Sequence, residues 1–302
     1  MKIFTITLNP AYDIHYTIEN FRPYAENYVS SAKTDCGGKG INISSLLNTL
    51  GTANTPYVII GIENGEAFEA FLKNNMPGAK VFRTDGRIRE NITLHSPGSD
   101  ETRISFSTFS LNHDLFENVT HSLLEEATEG SIVAFAGRIP EGIKKEEVIL
   151  FLKALRENGV YTVVDSNSFT LSDYSEIKPW FIKPNEQEAG GFFTINSRED
   201  ALSAAVEIRK SGVDNVMISL GGDGCAFASD TLCEIFDAPK TQVRSTIGAG
   251  DSTVAGFISA FSQNKSLDEC VRYALICGSA ACTTDGTTPP SKDVIDAFNS
   301  AG

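Results

Sequence analysis

The chain has 302 residues, of which 39 are acidic and 25 basic, and its formal net charge is −14 at pH 7. This charge repels nucleic acid and anionic membranes, and the basic residues form no run, so we discount both classes of partner. The length is about twice the ~150-residue prior for one domain, yet single layered α/β domains of this size are common. An anionic substrate must therefore be captured by a few local positive groups.

The N-terminus and the cysteines both indicate a cytoplasmic protein. The apolar stretch at residues 2–8 is too short for a signal peptide and lacks a small-residue cleavage site. No run of ~18 apolar residues occurs elsewhere. The six cysteines contain no Cys-x-x-Cys pair, so we predict neither a zinc site nor a redox site and interpret them as buried thiols.

Short β-rich runs alternate with segments of helical period along most of the chain. The predicted strands are residues 2–8, 57–60, 131–135, 160–164, 180–182 and 216–220. The clearest helical stripes are Ile43, Leu46, Leu47 and Leu50 before Gly51, and Val148, Leu152 and Leu155 before Gly159. This alternation predicts an α/β fold with three layers, in which helices cover both faces of a mostly parallel sheet.

Two stretches break this alternation, residues 11–35 and residues 87–109. Both are rich in β-branched and aromatic residues, and residues 88–94 and 102–109 are predicted to pair as a hairpin around residues 96–99. We interpret the two stretches as one small separate sheet inserted into an α/β body of residues 1–10, 36–86 and 110–302. A projecting sheet can cover a site, or pair with another subunit through its open edge.

The most informative segment is residues 246–253, Thr-Ile-Gly-Ala-Gly-Asp-Ser-Thr, which apolar residues follow at helical spacing. Small residues at a helix start leave backbone N–H groups bare, and the helix dipole adds partial positive charge, so the segment predicts an anion-binding site. Asp251 stands beside any phosphate bound there and can accept a proton from an attacking hydroxyl. The alternative is that Asp251 only complements the helix dipole.

Two better-known phosphate motifs do not fit. Gly37-Gly38-Lys39-Gly40 is not a P-loop, because Gly40 stands where Ser or Thr is required. Gly248-Ala249-Gly250 lacks the third glycine of a dinucleotide fingerprint, since Thr253 occupies its place. The first segment, with Asn42, is either a helix entry where a ligand lies against the backbone or a plain flexible loop.

Other polar residues follow predicted strands, at the edge where open parallel sheets bind ligands. Asp13 follows the first strand and either clamps two sugar hydroxyls or stands in a turn. Asn185 and Glu188 are three residues apart after another strand, which suits indirect capture of Mg²⁺ and its phosphates. Residues 219–224 form either a ligand loop or a tight turn, and residues 277–282 form either a helix packing face or part of a nucleotide site.

Together and in this order, these motifs resemble those of the ribokinase-like PfkB carbohydrate kinases, within them the branch of 1-phosphofructokinases and tagatose-6-phosphate kinases. The resemblance runs nearly end to end, through residues 7–13, residues 37–42, Lys183-Pro184-Asn185 with Glu188, residues 219–224 and Gly248-Ala249-Gly250-Asp251. It implies ATP-dependent phosphorylation of a sugar phosphate, Mg²⁺ as cofactor, and a homodimer formed through the small sheet, which acts as a lid. A requirement for a monovalent cation stays open.

The resemblance also implies roles for single residues. The acceptor site would comprise Asp13, Gly37, Gly38, Lys39 and Asn42, with Arg89 and Asn91 reaching in from the lid. The nucleotide site would comprise Lys183, Asn185, Ser219, Gly221, Gly222, Gly224, Gly248, Gly250, Gly278 and Ser279, the last two near the base. Asn185 and Glu188 would organise Mg²⁺ through water. Asp251 would be the catalytic base, while Gly248, Ala249 and Gly250 stabilise the transferring phosphoryl group.

Three departures from this branch fall in the acceptor half. Arg138, in Ala136-Gly137-Arg138, stands where the branch commonly has the second serine of Ser-Gly-Ser. Asp165-Ser166-Asn167-Ser168 replaces Asp-Thr-Ser-Gly, and Arg103-Ile104-Ser105-Phe106 replaces a Glu-Ile-Asn with its Pro-Gly. Arg138 is either a second phosphate ligand, through bidentate guanidinium contacts, or the partner of a neighbouring acid. Kinase chemistry is therefore better founded than the substrate.

Two alternative functions are kept. A catalytically silent sugar or nucleotide sensor would need neither Asp251 nor a complete anion site. A kinase for an unphosphorylated sugar or a nucleoside would not need Lys39 and Arg89, which are cations suited to a phosphorylated acceptor.

Overall fold

The computed structural model describes residues 1–98 and 101–301. The strands are β1 Ile3–Thr7, β2 Ala11–Thr17, β3 Ser31–Gly37, β4 Thr55–Gly61, β5 Lys80–Thr84, β6 Arg89–His95, β7 Thr102–Ser105, β8 Ile132–Ala136, β9 Tyr161–Asp165, β10 Phe181–Ile182, β11 Asn215–Ser219, β12 Cys225–Ala228 and β13 Cys233–Phe236. The helices are α1 Lys39–Thr49, α2 Glu66–Asn75, α3 His113–Glu126, α4 Lys145–Glu157, α5 Leu171–Ile177, α6 Glu186–Gly190, α7 Arg198–Lys210, α8 Ala249–Ser262, α9 Leu267–Ala281 and α10 Lys292–Ala301.

Nine strands form the main sheet, in the order β13-β12-β11-β10-β9-β8-β1-β4-β5. The strands from β11 to β5 pair in parallel, and β12 and β13 add an antiparallel edge. After β1, strands β4 and β5 are added on one side of β1. Strand β8 is added later in the chain, on the other side of β1. Open α/β sheets bind ligands outside the carboxyl ends of the strands at such a reversal of strand order.

The core lies on both faces of this sheet. Along β8, Val133 and Phe135 pack into one core while Ile132 and Ala134 pack into the other, as the two-residue period of a strand requires. Helices α2 to α7 supply most of the helical residues of the first core. Helices α1, α8, α9 and α10 supply those of the second. The predicted three layers and the mostly parallel sheet are confirmed.

The predicted strands and helical stripes also form where the sequence indicates them. All six predicted strands overlap observed strands of the main sheet within one residue at each end, apart from β4, which begins two residues earlier, at Thr55. The two stripes lie on α1 and α4. Gly51 and Gly159 follow these helices with φ of 71° and 72°, the left-handed conformation that ends a helix most easily at glycine.

A second sheet of four strands, in the order β3-β2-β6-β7, stands apart from the main sheet. Strands β2 and β6 pair in parallel, and the two outer pairs are antiparallel. The prediction of a small separate sheet is thus confirmed. Its bounds differ from the predicted ones at β3, which runs on to Gly37.

The second hairpin strand is shorter than predicted. Strand β7 ends at Ser105, and its last ladder bond runs from the Phe106 N–H to the Glu90 carbonyl at 3.0 Å. Phe109 and Leu111 are buried in the core of the main sheet, so the chain must leave the small sheet to reach them. Of the predicted turn at residues 96–99, Ser99 lies outside the described residues, as does the final residue of the predicted body, Gly302.

The interpretation of the cysteines as buried thiols holds for Cys225, Cys270 and Cys277, where burial raises the thiol pKa to about 12. It is wrong for Cys233, which is exposed because β13 is an edge strand, and Cys36 and Cys282 are half-buried. Across residues 1–98 and 101–301, no helix combines the length and the apolar character needed to cross a membrane.

Candidate active site

Helix α8 begins with backbone N–H groups that lack hydrogen-bond acceptors among the described residues. Gly248 has φ of 78° and turns the chain into the helix. Among the described residues, the backbone N–H groups of Gly248, Gly250 and Asp251 have no hydrogen-bond acceptor. The N–H of Ala249 donates to the Thr246 carbonyl at 3.3 Å. This donor, which was predicted to contribute to the anion site, is therefore already partly used. The helix dipole adds to the positive potential of the other three groups.

Asp251 lies in the first turn of α8, with only 7% of its surface exposed. Its Oδ2 accepts a hydrogen bond from Asn42 Nδ2 on α1 at 2.7 Å. Burial and the negative charge of Asp165 raise the pKa of Asp251 to about 6, against the opposing effects of Lys39, Asn42 and Lys183. A residue that only complements the helix dipole needs neither this burial nor a donor from another helix.

Asp165, the last residue of β9, interacts with Lys39 and Lys183 near Asp251. Lys39 Nζ lies 3.1 Å from Asp165 Oδ1. Lys183 is buried, and its Nζ lies 3.2 Å from the position that a Cβ at Gly250 would take. Burial alone would raise the pKa of Asp165, but Lys183 and Lys39 lower it. The structure therefore brings Lys183 to the start of α8 and places Lys39 with Asp165.

The start of α1 brings the glycine-rich segment against β1 and β2. A Cβ at Gly37 would lie 2.3 Å from Asp13 Oδ2, and one at Gly38 would lie 2.8 Å from Thr7 Cγ2. Gly40 allows α1 to reach β1, because a Cβ there would lie 2.5 Å from the Ile6 carbonyl oxygen. These close approaches explain the glycines and bring Asp13 next to the N-terminus of α1.

Asp13 faces Asn91 across the parallel pair β2 and β6. Asn91 Nδ2 donates to Asp13 Oδ1 at 2.9 Å. Burial raises the pKa of Asp13, although the hydrogen bond from Asn91 and the positive charges of Arg89 and Arg103 oppose the rise. The predicted acceptor residues of the body and of the second sheet are thus brought together.

Arg89 is half-buried, and its Nε has no hydrogen-bond partner among the described residues. Burial lowers the pKa of Arg89, the carboxylate of Asp13 opposes this, and the nearby charge of Arg138 lowers it further. Arg138 is exposed and follows the carboxyl end of β8. No described carboxylate lies within salt-bridge distance of Arg138, so the structure does not contain the ion pair that was one interpretation of this residue.

Six of the residues predicted to bind nucleotide belong to two further segments. Ser219 ends β11, and Gly221–Asp223 form a single 3₁₀ turn, with Gly221 and Gly222 open to solvent. Gly278 and Ser279 are buried in α9, where a Cβ at Gly278 would lie 2.4 Å from Thr253 Oγ1 of α8. These two residues form a close helix packing face, which was the alternative interpretation of that segment.

Asn185 and Glu188 form a capping box at the start of α6, in which each side chain accepts a hydrogen bond from the backbone N–H of the other residue. Asn185 Oδ1 accepts from the Glu188 N–H at 2.8 Å, and Glu188 Oε2 accepts from the Asn185 N–H at 2.9 Å. A second oxygen of Glu188 stays available. Glu188 also lines a cavity of about 280 Å³ together with Asp165 and Lys183.

This cavity suits a hydrated Mg²⁺ ion. Asp165 Oδ2 is buried there without a hydrogen-bond partner among the described residues, and Glu188 offers a second carboxylate. Mg²⁺ keeps several waters and binds proteins through one or two carboxylates plus substrate phosphates. No group of three or more His, Cys, Asp or Glu side chains suited to a metal occurs in residues 1–98 and 101–301. The oxygen ligands present fit the ion.

Sequence reasoning missed Asp165 and Arg103 as site residues. Asp165 directly follows the predicted strand at residues 160–164, so its place at the carboxyl edge of the sheet was available from the sequence. The charge of Arg103 comes near Asp13 only through the pairing of β6 with β7, and no local pattern indicates that register.

Residues 4–294 match the sequence model of the pfkB family of carbohydrate kinases, so the chain belongs to this family. The protein is therefore an enzyme, a sugar kinase. The predicted family and the ribokinase-like fold are both confirmed.

Several proteins similar to this chain in sequence or structure are phosphofructokinases. A 1-phosphofructokinase of Haemophilus influenzae is 30% identical over 276 residues, which cover 90% of this chain and 88% of the relative. The ATP-dependent 6-phosphofructokinase isozyme 2 of Escherichia coli is 30% identical over 299 residues, which cover 97% and 96%. A crystal structure of phosphofructokinase-2 from Escherichia coli in complex with potassium superposes with a TM-score of 0.92 and 28% identity, covering 99% of this chain and 98% of that chain.

Proposed function

We propose that this enzyme transfers the γ-phosphoryl group of ATP to a hydroxyl of a ketose phosphate, as 1-phosphofructokinases and tagatose-6-phosphate kinases do. The observation that carries the proposal is the buried Asp251, whose pKa is raised to about 6 and which lies among the bare N–H groups at the start of α8. Relatives support a phosphorylated acceptor, because the Haemophilus influenzae and Escherichia coli proteins described above are named phosphofructokinases.

Asp251 acts as the base in this proposal. As the acceptor oxygen forms its bond to the γ-phosphorus, the hydroxyl proton passes to the Asp251 carboxylate, and the bond from the γ-phosphorus to the bridging oxygen breaks to release ADP. A pKa of about 6 leaves the carboxylate ionised at neutral pH and makes it a stronger base than an ordinary Asp. Asn42 holds it in place.

Positive groups at the start of α8 stabilise the phosphoryl group during its transfer. The N–H groups of Gly248 and Gly250 are preorganised donors for its oxygens, and the buried Lys183 adds a full charge beside them. When bound, Mg²⁺ neutralises charge on the nucleotide phosphates. In this proposal Glu188 and Asp165 hold the ion, with Asn185 fixing the start of α6 so that Glu188 faces the cavity.

On the acceptor side, we assign sugar hydroxyls to Asp13 and Asn42, and the acceptor phosphate to Arg89 with Asn91 and Arg138. Lys39 is held by Asp165, so we assign it to the transferred group and not to the acceptor phosphate. The turn at Gly221, Gly222 and Gly224 after Ser219 would take the nucleotide. A monovalent cation requirement, supported by the potassium complex of the Escherichia coli relative, and a cytoplasmic location stay predictions.

The proposal predicts a selective activity. ADP release with Mg·ATP, measured across fructose 1-phosphate, tagatose 6-phosphate, fructose 6-phosphate, free hexoses and nucleosides, is expected to be largest for one ketose phosphate, because Arg89 is desolvated and needs an anion.

Turnover of only a neutral sugar or a nucleoside would keep the kinase and contradict the phosphate assignment. Bound ATP without turnover of any acceptor would indicate the sensor alternative.

We also propose that the second sheet is a lid and the dimer interface. Ile14, Ile92 and Ile104 lie in register across three of its strands, on the face opposite to Asp13 and Asn91. Ile104 and Phe106 are 45% and 51% exposed, and other large apolar side chains, Tyr24, Tyr28 and Val29, are exposed on the connection between β2 and β3. An apolar face of this kind is typical of an interaction surface, and a second copy would cover it.

Changing Ile104 to Glu is expected to convert a dimer into a monomer, because it places a charge in the proposed apolar interface. Sedimentation equilibrium of the wild type and the variant measures this directly. Val243→Glu, at a residue 57% exposed outside the second sheet, is the matched control and should leave the mass unchanged. A wild type that sediments as a monomer, or a variant that remains a dimer, contradicts the interface.

A further inference from the structure

Side chains of the second sheet meet the segment that follows α9. In the register of β2 with β3, Asp13 lies opposite Asp35. Two residues further along β2, His15 lies opposite Lys33. Side chains of paired residues share a face of the sheet. The face that carries Asp13 therefore also carries the side chains that contact residues 285–288, which we call the docking segment.

Gly286 of the docking segment packs against two of these side chains. A Cβ there would lie 2.9 Å from His15 Nε2 and 3.3 Å from Asp35 Oδ2, and Gly286 has φ of 63°, which other residues rarely adopt. Lys33 Nζ donates a hydrogen bond to Thr288 Oγ1 at 2.7 Å. In the part of the chain that the structure describes, Lys33 makes all the hydrogen bonds between the second sheet and residues 239–301.

The imidazole of His15 is fixed on the side of the second sheet. Its Nδ1 is hydrogen-bonded to His95 Nε2 at 3.0 Å, and the two rings stack with their centroids 5.3 Å apart. Its Nε2 is buried and has no hydrogen-bond partner among the described residues, so the ring faces Gly286 as a packing contact. A larger residue at position 286 would have to displace either this ring or the docking segment.

The docking segment also contacts the start of α8. A Cβ at Gly248, the residue that turns the chain into α8, would lie 3.7 Å from Thr287 Cα, which is van der Waals contact. Just before the segment, Thr284 Oγ1 donates to the Thr288 carbonyl at 2.7 Å, and two prolines follow. This bond and the fixed φ of the prolines stiffen the turn. A displacement at Gly286 therefore reaches Gly248 through Thr287.

We infer that the docking segment couples the position of the second sheet to the N–H groups at the start of α8, with His15 and Lys33 as the positioning residues. The inference rests on the proposed function, in which those N–H groups stabilise the transferring phosphoryl group. It gives the second sheet a task beyond contact with the acceptor. The face that holds the acceptor hydroxyls through Asp13 also sets the donors that the phosphoryl group needs.

The first test enlarges the glycine at the contact. Gly286→Ala is expected to lower kcat for the acceptor that the substrate survey identifies by roughly 3- to 30-fold, the range typical of coupling through packed contacts. Gly130→Ala is the matched control, because Gly130 has φ of 76° and no atom within 4 Å of the new Cβ. It introduces the same backbone strain without the contact, so kcat should stay within about twofold.

A kcat of Gly286→Ala no lower than that of Gly130→Ala overturns the inference. A loss confined to KM for the acceptor also overturns it, since that result would mean that the second sheet only binds the acceptor.

A double variant separates the contact from other effects of the added methyl group. His15→Ala alone is expected to lower kcat within the same range of roughly 3- to 30-fold, because the docking segment loses the ring that supports it. Adding Gly286→Ala to it should cost no more than about twofold, since the imidazole that the new Cβ would meet is gone. Losses that multiply in the double variant contradict the contact.

Lys33 tests the coupling without changing a glycine. Lys33→Met removes the donor to Thr288 and is expected to lower kcat by roughly 3- to 10-fold, whereas Lys33→Arg keeps a donor and should stay within about twofold of the wild type. The side chain of Lys33 is 45% exposed, so both variants are expected to fold. Equal losses in the two variants would contradict a role for this hydrogen bond.

A measurement without turnover separates this inference from the proposed function. Hydrogen–deuterium exchange of the peptide spanning residues 246–257 reports on the first turn of α8, where the Ser252 N–H donates to the Gly248 carbonyl at 2.9 Å. Exchange should be faster in Gly286→Ala than in Gly130→Ala, whether or not any acceptor is phosphorylated. Equal exchange in the two proteins contradicts the coupling. Faster exchange in Gly286→Ala, with a wild type that phosphorylates no acceptor, supports the coupling and contradicts only the proposed function.

Discussion

The Asp251→Asn variant is expected to lose roughly 10²- to 10⁴-fold in kcat, while its affinity for ATP stays within about twofold. Asparagine keeps the shape of the side chain and its contact with Asn42, but it cannot take the proton of the acceptor hydroxyl. Initial rates and ATP binding measured on the same preparation test this. Near wild-type turnover would exclude Asp251 as the base.

The pH dependence gives a second readout of the same residue. The base must be ionised, so kcat/KM of the wild type should rise with pH through about 6 and level off above it. The residual activity of Asp251→Asn should lack this acidic limb. A limb that persists unchanged in the variant would belong to another group.

The same variant is expected to be more stable than the wild type at neutral pH. The folded protein holds the Asp251 proton more tightly than the unfolded chain, so this residue contributes stability below its ordinary pKa of 3.8 and loses that contribution as pH rises through about 6. The rise from 3.8 to about 6 corresponds to roughly 3 kcal/mol against the ionised form, an upper figure given the neighbouring charges.

Urea unfolding of the wild type and the Asp251→Asn variant at two pH values checks this sign. The variant should be the more stable protein at pH 7.5, and the difference should shrink towards pH 4, where Asp251 of the folded wild type is protonated. A loss of catalysis together with a gain in stability identifies a residue kept for chemistry.

The Asp165→Ala variant has the second large expected effect, a loss of about 3 to 5 kcal/mol in the free energy of unfolding. Asp165 is 2% exposed, it binds Lys39, and its charge offsets that of the buried Lys183. Removing this carboxylate leaves the charge of the buried Lys183 uncompensated, and an uncompensated buried charge is strongly destabilising.

Denaturant unfolding at pH 7.5 measures this loss, and Asp296→Ala is the control. That variant breaks the exposed pair of Lys292 and Asp296 on α10, which is expected to cost less than about 1 kcal/mol. Similar losses in the two variants would mean that Lys183 does not depend on Asp165.

Asp165→Asn extends the test to catalysis. The charge of Asp165 helps to raise the pKa of Asp251, so its removal should move the acidic limb of kcat/KM to lower pH. An acidic limb that stays at about 6 would show that burial alone sets the basicity of Asp251.

Much of the site is readable from the sequence because it is locally encoded. Glycines that permit close backbone approach, polar residues placed directly after strands, and the small-residue entry to α8 are patterns of a few neighbouring positions. Asp13, Asn42 and Asp251 are predictable in this way. So is the three-layer fold, because the alternation of strand and helix periods already requires helices on both faces of a parallel sheet.

Tertiary structure alone decided the properties that depend on contacts between distant residues. Asn42 and Asp251 are 209 positions apart, and the basicity of Asp251 follows from burial and from charges that the fold assembles around it. The same holds for Arg89 and Arg103, which strand register brings near the carboxylate of Asp13. The sequence by itself determined the chemistry this protein is built for, through local backbone patterns. The electrostatics that tune this chemistry exist only once the chain is folded, because desolvation and Coulomb interactions depend on distance and burial and not on position along the chain.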